Sequence, residues 1–513
     1  MARRAISAAA AVLCIMASSG TPGRTSGEEQ AGDILKSGEL IITVHDENGE
    51  PVRDEAGMIQ YMKIGDWEVD QDYTATVNIT AESGEFYSNA YYQMRVLHTY
   101  PKKLIFTGPV RSLDIEQMSS LSCNVEDITF PDTIEYVHIG DSAFDGAAIS
   151  GLTLNGSCEI GEMTFRDNAR MNSLSLTGDS TVLGKFAFSG CSTLEEAELN
   201  NVTADRRAFA KCTSLKSVKF TGTAKLSDSV FAGCTALENI DIDIEKADVQ
   251  NAFIDCPNLR TINSKPVFDP STGDIVPEYR DFVLNNFKGS YSVGFLDDYI
   301  LAQADKIAGE VTDSTMTDVE KAKALHDWIC RKVSYDYDEN EVYSKNHSDG
   351  SVFLNDSSQC EGYAKAYNLL LHAAGMESWY VASKDHAWNV VKLDGHYFHI
   401  DTTWDDGEET SYDWFMLTDE EMRAAGGLHE SWAARIPTNL HDFQSPELPE
   451  CSTPMGDLNA DGAVTIADLV KMSRCILGND TIAPEDAVLA DLDPNGRADA
   501  FDLCRLRKKL IAE

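Results

Sequence analysis

The sequence predicts a multidomain protein with a β-rich repeat solenoid, an α+β domain and a small all-α tail. Three observations lead to this prediction. A pattern with a period near 22 residues runs through residues 121–265, Cys360 stands directly ahead of an amphipathic segment, and two acidic loops of similar composition occur near the C-terminus. The length of 513 residues also exceeds what one hydrophobic core supports.

The first residues are typical of a secretory signal. Two arginines precede a short apolar run that ends at Ala17, where small residues offer a cleavage site. The run is too short to span a bilayer. We therefore expect residues 1–19 to be a signal peptide and residues 20–37 to be a linker, and we expect the mature protein to be secreted.

The charge of the chain excludes two classes of partner. It has 84 acidic and 42 basic residues, and its formal net charge is -42. Such a surface repels phosphate backbones and anionic lipids. No later run is long and apolar enough to span a bilayer. The sequence therefore predicts no nucleic-acid partner and no membrane partner.

Residues 38–120 are predicted to form a β-rich N-terminal region. Asn48 and Gly49 are typical of a hairpin turn between two strands, and residues 72–87 alternate apolar and polar side chains as a strand does. The pattern of this region indicates no particular chemistry, so no activity is assigned to it.

An internal repeat follows this region. Phenylalanine, cysteine and leucine positions recur every 21 or 22 residues, at Phe188, Phe209, Phe231 and Phe253, at Cys191, Cys212, Cys234 and Cys256, and at Leu194, Leu215, Leu237 and Leu259. This period is typical of a leucine-rich-repeat solenoid with one short strand per unit, in which the aligned positions point inward and stack. The pattern resembles the BspA-like repeats of bacterial surface proteins over roughly residues 121–262. That resemblance implies a binding surface for a protein or glycan ligand.

The placement of the twelve cysteines in the sequence does not indicate a disulfide framework. Removal of Cys14 with the signal peptide leaves eleven, so at least one thiol stays unpaired unless a partner chain supplies another. The four periodic cysteines lie one per repeat, which gives a line of thiols rather than the tetrahedron that a zinc site needs. We expect a buried thiol ladder.

The α+β domain is predicted over residues 266–440. A capping box that starts at Thr317 begins an amphipathic helix, whose His326 and Cys330 are expected to pack in the core. A second amphipathic segment follows Cys360. The cysteine therefore lies at a helix N-terminus, where unpaired N–H groups stabilise a thiolate. This meets one requirement for a nucleophile.

A base and an orienting acid come from one predicted hairpin. The Asp-Gly pair at 394–395 is a strong two-residue turn, and the strand register that it sets makes His386 and Asp401 diagonal neighbours on adjacent strands. His396 and His399 lie on the same hairpin and are expected to be surface or packing residues. The turn alone therefore brings an imidazole and a carboxylate together.

Three short motifs carry a family resemblance, namely Gln-Cys-x-Gly-Tyr-Ala at 359–364, His-Ala-Trp at 386–388 and Asp-Thr-Thr-Trp-Asp at 401–405. In this order they resemble the transglutaminase-like superfamily, a papain-like thiol fold, over about residues 290–440. The resemblance implies that Cys360 is the nucleophile, His386 the base and Asp401 the orienting acid. The chain departs from the family at Ser358, where glycine is common.

The implied chemistry is acyl transfer on a peptide amide through a thioester. Cys360 attacks the carbonyl, and its own backbone N–H holds the oxyanion together with a second donor that the sequence does not identify. Water as acceptor gives a protease or amidase, and a lysine amine gives a cross-linking transglutaminase. The sequence leaves both open, and it also leaves open a retained fold without chemistry.

The two acidic loops, residues 457–468 and 491–502, have the spacing of EF-hand calcium sites, with Gly462 and Gly496 at the sharp turn. Each loop runs directly into a predicted helix. The expected ligands are Asp457, Asn459, Asp461, the carbonyl of Ala463 and Asp468 in the first loop, and Asp491, Asp493, Asn495, the carbonyl of Arg497 and Asp502 in the second. We therefore expect two structural calcium ions.

Residues 455–513 resemble a dockerin, a duplicated calcium-loop module that binds a cohesin. The loop positions that often select the cohesin carry Ile466, Ala467, Ala500 and Phe501. The resemblance implies a cohesin module of a scaffold protein as partner, in a cellulosome or cell-surface complex. The Pro/Ser-rich residues 441–454 are expected to be a linker that lets the tail swing.

Two functional hypotheses follow. The first is a secreted, cellulosome-associated cysteine acyl-transfer enzyme with a protein or peptide substrate. The second is a non-catalytic adhesion or binding protein, in which the solenoid is functional and the thiol domain is vestigial. No paired-carboxylate site for sugar hydrolysis can be identified among so many acidic residues.

Overall fold

The computed structural model of the chain describes residues 34–43, 51–54, 56–58, 60–80, 83–86, 101–115, 124–337, 348–434 and 447–512. The predicted signal peptide, most of the linker after it and the predicted turn at Asn48 and Gly49 lie outside the described residues, as do residues 441–446. The chain divides into two units, Met1–Ala252 and Phe253–Glu513. Within the described residues, no helix combines the length and the apolar composition that crossing a bilayer requires.

The first unit is built from strands. It starts with an antiparallel set, Ile34–Thr43, Tyr61–Asp70 and Thr74–Ile79, and parallel pairing then extends from the last of these to Lys103–Thr107 and Asp127–Thr129. The strands of the repeat pair in parallel with the equivalent strands of the next unit. They are Ser83–Phe86, Ser112–Ile115, Tyr136–Ile139, Gly151–Leu154, Ser157–Ile160, Ser173–Leu176, Thr181–Leu183, Glu196–Ala204, Ser217–Leu226, Asn239–Asp241 and Ala247–Asp248.

The expectation of one short strand per repeat is wrong. Each repeat contributes to two parallel ladders, as Gly151–Leu154 and Ser157–Ile160 do, and the two segments merge in Glu196–Ala204. The chain bends between them where successive backbones approach closely: a Cβ on Gly178 would lie 2.2 Å from the carbonyl carbon of Gly156. Glycine at these bends therefore allows the coils to stack.

The aligned phenylalanines form a continuous buried stack. Ring centroids of successive residues from Phe144 to Phe231 lie 5.1 to 5.4 Å apart, with ring planes within 11° of parallel. The aligned cysteines and leucines are buried beside them, and the cysteines are free thiols. Cys212 Sγ donates to the carbonyl of Phe188 at 3.3 Å, one repeat earlier. The predicted thiol ladder is confirmed.

The second unit contains helices around a five-stranded antiparallel sheet. The sheet order is Phe415–Leu417, His396–Ile400, Ala387–Leu393, Ser378–Ala382 and Ala433–Ala434. Two-residue strands pair Thr261–Ile262 with Lys265–Pro266, Phe268–Asp269 with Asp274–Ile275, and Ser334–Tyr335 with Ser357–Ser358. The α-helices are Arg280–Asn286, Gly294–Val311, Asp318–Lys332, Asp349–Asn355, Cys360–Ala373, Asp419–Ala425, Ile466–Ile476 and Ala500–Ala512, and the 3-10 helices are Pro277–Tyr279, Gly427–His429 and Pro484–Ala490.

The hairpin has the register that its turn predicts. Asp394 and Gly395 have φ angles of 49° and 95°, the left-handed conformation that a tight two-residue turn requires. Leu393 is therefore paired with His396. The capping box at Thr317 is also present.

The described part of the predicted swinging linker is packed rather than free. Cys451 is buried in a cluster with Val381, Trp388 and Met422. The backbone N–H of Asp419 donates to the carbonyl of Cys451 at 2.8 Å. The Pro/Ser composition suggested mobility, but this cysteine and its backbone join the core of the second unit.

Candidate active site

Cys360 is the first residue of the helix Cys360–Ala373, and its side chain is only 8% exposed. The short parallel pairing of Ser334–Tyr335 with Ser357–Ser358 fixes the chain just before the cysteine. Asn389 ties the helix to the sheet, because its Nδ2 donates to the carbonyl of Ala364 at 2.9 Å. The thiol is thus held at the N-terminal end of the helix by neighbours on both sides.

A glycine in the cysteine motif compensates for the serine that departs from the family pattern. Ser358 is fully buried, and its Oγ lies 2.7 Å from Ser351 Oγ. A Cβ on Gly362 would lie 1.9 Å from Ser358 Oγ and 2.7 Å from the Ser348 carbonyl oxygen. The chain accommodates the serine because position 362 has no side chain.

The three predicted catalytic residues lie together. His386 precedes the strand Ala387–Leu393 and Asp401 follows the strand His396–Ile400, so the hairpin brings both to one end. His386 Nε2 lies 2.6 Å from Asp401 Oδ2. Cys360 is close enough to this imidazole to raise its pKa. Because Nε2 is engaged by Asp401, Nδ1 is the nitrogen left for the thiol.

The carboxylate holds the imidazole in its charged form. Burial lowers the pKa of His386, but the charge of Asp401, its hydrogen bond and the nearby Cys360 outweigh it and raise the pKa to about 10. Burial raises the pKa of Asp401, but the charge of His386 and the hydrogen bonds from two histidines outweigh it, so the net pKa of Asp401 is below its ordinary value. An imidazolium and a carboxylate are the favoured states of the pair.

The second of these histidines is His429, which sequence reasoning missed. It is fully buried, and its Nε2 lies 2.9 Å from the same oxygen of Asp401 that contacts His386. The other oxygen of Asp401 accepts hydrogen bonds from the backbone N–H groups of Thr403 and Trp404. Nothing in the residue pattern pointed to His429, because it lies 28 positions beyond Asp401 and on no predicted strand or helix.

Tryptophans surround the two imidazoles. Trp388 is buried and packs against His386 with a ring-centroid distance of 5.7 Å. Trp404 lies 5.8 Å from His386 on the same measure and is 44% exposed. Trp388 is therefore a core residue, whereas Trp404 forms part of the surface next to the base.

The backbone N–H of Cys360 already has a polar neighbour. The hydroxyl of Tyr335 is close enough for this N–H to act on it and lower the pKa of Tyr335. Burial, then the nearby charge of Cys360, outweighs this effect and raises the pKa of Tyr335, which keeps its hydrogen on the oxygen. A hydroxyl donor is thus available beside the nitrogen that would hold an oxyanion.

Three other histidines in the described part of the domain do not join this site. His399 is buried between Trp388 and Asp419: its Nδ1 accepts from the Trp388 indole, so its Nε2 carries the hydrogen that is donated to Asp419. His396 lies at 3.2 Å from Asp486. His326 is in the core, as expected, with its Nε2 at 3.2 Å from Asp405.

The two acidic loops have matching internal geometry. Gly462 and Gly496 both have a φ of 86°. In each loop the first aspartate accepts hydrogen bonds from the backbone of the turn, and the last aspartate accepts from the start of the loop. These four carboxylates are nearly fully buried, and they are Asp457, Asp468, Asp491 and Asp502.

The residues of the second loop fit a divalent cation. Carboxylate oxygens of Asp491, Asp493 and Asp502 all lie within 4.8 Å of one another. Asp493 Oδ1 is buried and has no hydrogen-bond partner in the structure. Burial, together with the neighbouring carboxylates, raises the pKa of Asp491 to about 6. Oxygen-only ligands of this kind suit calcium.

Three family models match separate parts of the chain. The BspA type leucine-rich repeat region matches in six copies over residues 114–238 and 200–269, the transglutaminase-like superfamily matches residues 305–402, and the dockerin type I domain matches residues 455–511. The chain therefore combines BspA-type repeats, a transglutaminase-like domain and a dockerin type I domain. His429 lies beyond the transglutaminase-like match.

Among curated proteins, the kyphoscoliosis peptidase of Homo sapiens is 27% identical over 125 residues and that of Mus musculus 24% over 120 residues. Each match covers 20% of this chain and 18% of the relative. The protein in a crystal structure of a TGase is 19% identical. The match covers 21% of this chain and 31% of that protein's chain, with a TM-score of 0.19. A leucine-rich repeat protein from Bacteroides ovatus is 17% identical. The match covers 38% of this chain and 73% of that protein's chain, with a TM-score of 0.21.

Proposed function

We propose that the protein is an exported cysteine acyl-transfer enzyme that acts on peptide amides, with Cys360 as nucleophile, His386 as base and Asp401 as orienting acid. The observation that carries the proposal is the 2.6 Å contact between His386 Nε2 and Asp401 Oδ2. Cys360 acts on the same imidazole from the N-terminus of its helix. A nucleophile, a base and an orienting group in one chain of contacts are what thiol catalysis requires.

The first half of the reaction forms a thioester. The Cys360 sulfur attacks the amide carbonyl carbon, and the C–N bond then breaks as His386 gives its proton to the leaving amine. In the second half an acceptor attacks the thioester and frees the thiol. Water as acceptor hydrolyses the peptide, whereas a lysine amine forms a cross-link.

The oxyanion is proposed to bind between two donors. One is the backbone N–H of Cys360, and the other is the hydroxyl of Tyr335, whose contact with that N–H supports the assignment. A substrate oxygen that displaces the hydroxyl from the N–H stays within reach of the O–H. The donor that sequence reasoning could not identify is thus proposed to be Tyr335.

The tail is proposed to bind two calcium ions and to dock the protein to a cohesin in a cellulosome or cell-surface complex. Dockerin type I domains generally bind calcium and cohesins. The buried Oδ1 of Asp493, which has no hydrogen-bond partner in the structure, supports an ion in the second loop. Ile466, at the tenth position of the first loop, is 73% exposed, and Phe501, at the eleventh position of the second loop, is 71% exposed. These apolar side chains are available for a partner.

Alkylation of Cys360 by iodoacetamide, followed by mass spectrometry of its peptide, tests the thiol site. We expect fast alkylation in the wild type and a rate at least about tenfold lower in His386→Ala, because the imidazolium no longer stabilises the thiolate. The control is His396→Ala, which removes a histidine of the same hairpin and should leave the rate unchanged. Equal rates in all three proteins would favour the adhesion protein with a vestigial thiol domain.

Incubation with casein and a labelled primary amine then identifies the acceptor. Released peptides indicate hydrolysis, and label incorporated into casein indicates amine transfer. Cys360→Ser is the blank for both readouts. Activity that persists in Cys360→Ser would place the chemistry elsewhere in the chain and overturn the proposal.

A further inference from the structure

We propose that His429 is a positioning residue of the thiol site: its Nε2–H holds Asp401 in the orientation that receives His386. The inference rests on the proposed function, because it assigns a role within the same site. It extends that function to a residue outside the segment that the transglutaminase-like family model matches, residues 305–402.

Two imidazoles share one oxygen of Asp401. His386 Nε2 lies at 2.6 Å and His429 Nε2 at 2.9 Å from Asp401 Oδ2, and the carboxylate is fully buried. The backbone N–H groups of Thr403 and Trp404 occupy Oδ1 at 3.1 and 3.2 Å. Those two bonds anchor one oxygen close to the main chain. Among the described residues, His429 and His386 are the hydrogen-bond partners of the other oxygen.

The hydrogen-bond pattern determines how His429 acts. A contact with a carboxylate oxygen requires a donor, so the hydrogen of His429 lies on Nε2. Its Nδ1 is buried and has no partner in the structure. An added N–H at Nδ1 would be buried and unpaired, which is costly. His429 is therefore a fixed donor to Asp401, whereas His386 exchanges protons with the thiol.

Three tryptophan rings pack around the imidazole of His429 and restrict its orientation. Its ring lies 4.5 Å from that of Trp414, 4.7 Å from that of Trp404 and 4.9 Å from that of Trp388, measured between centroids. Gly426, with a φ of 74°, turns the chain into the short 3-10 helix Gly427–His429, whose last residue carries the imidazole. An aromatic enclosure of this kind holds the donor still, which a positioning role requires.

Loss of the donor should loosen the orienting acid without changing how substrate binds. His429 is completely buried, so we expect substrate not to touch it. A hydrogen bond to a charged group contributes enough that its removal should slow the reaction about tenfold to a hundredfold. The effect should fall on kcat, with KM within about twofold of the wild type.

A matched pair of variants tests this. His429→Gln keeps an N–H donor near the place of Nε2, and His429→Met has a similar size and shape but no donor. We measure the alkylation rate of Cys360 by iodoacetamide in the full chain, with His386→Ala and the wild type beside them, and kcat and KM for casein turnover. Melting temperatures check that both variants fold.

A slow rate in His429→Met together with a near wild-type rate in His429→Gln supports the inference, as does a loss confined to kcat. A wild-type rate in His429→Met, or an equal loss in both variants, overturns it, since the donor would then have no role of its own. If alkylation of the wild type does not depend on His386, the proposed function fails and the inference fails with it. If alkylation depends on His386 but not on the donor at 429, only the inference fails.

Discussion

Replacing Asp401 with asparagine should remove the imidazolium from the site at neutral pH. The pKa of His386 is about 10 because the charge and hydrogen bond of Asp401, with the nearby Cys360, outweigh the opposing effect of burial. Asparagine has nearly the same shape but no charge. Without the charge of Asp401, burial should bring the pKa of His386 down towards its ordinary 6.5.

The size of the effect follows from the titration of one group. At pH 8 an imidazole with a pKa of about 10 is about 99% protonated, and one with a pKa of 6.5 is about 3% protonated. Alkylation that depends on the imidazolium should therefore fall about 30-fold or more at this pH. The folded-state pKa is raised, so the stability that the ion pair contributes is fully present below pH 6.5 and lost as pH rises towards 10.

The assay is the rate of Cys360 alkylation between pH 5 and pH 10, read by mass spectrometry of the Cys360 peptide because other free thiols are present. Asp405→Asn is the matched control. Asp405 is also buried and also contacts a histidine, but its partner is His326 rather than His386. An Asp401→Asn profile that coincides with the wild-type profile would show that the carboxylate does not set the charge of His386, and the reasoning would be refuted.

Three further outcomes are expected. Phe209→Ala removes a fully buried ring from the stack and should destabilise the solenoid by about 3–5 kcal/mol. The control Val182→Ala, at a position 39% exposed, should change the free energy of unfolding by less than about 0.5 kcal/mol. Calorimetry of both variants measures the difference. Gly362→Ala should destabilise the thiol domain, since the Ser358 hydroxyl and a backbone carbonyl occupy the space of the new Cβ; a melting temperature equal to that of the wild type would contradict the packing. EDTA should lower the helicity of the tail and abolish cohesin binding, and Asp502→Asn should weaken calcium binding, both measurable by circular dichroism and calorimetric titration.

The parts of the site that sequence could predict are those that local geometry determines. The Asp-Gly turn at 394–395 fixes the strand register, and that register brings His386 and Asp401 to one end of the hairpin. The start of a helix at Cys360 follows from the apolar periodicity after it. Each of these depends on residues within a few positions, so no long-range contact had to be known.

Long-range packing determines the parts that sequence could not predict. His429 reaches Asp401 across 28 positions through two glycines with positive φ angles, and no periodic pattern encodes such a path. Cys451 lies in a Pro/Ser-rich segment that looks like a linker, yet its side chain is buried among residues of the sheet. In both cases a single tertiary contact overrides what the local composition indicates.

Polar contacts join the dockerin tail to the thiol domain. Lys509 pairs with Glu421 at 2.9 Å, and His396 lies 3.2 Å from Asp486. A partly exposed ion pair such as Lys509–Glu421 contributes about 0–1 kcal/mol. The exposed apolar side chains of the two tail helices are different residues from these, and they include Ile466, Val470, Phe501 and Ile511. We therefore expect a partner that binds those side chains to leave these two contacts with the thiol domain intact.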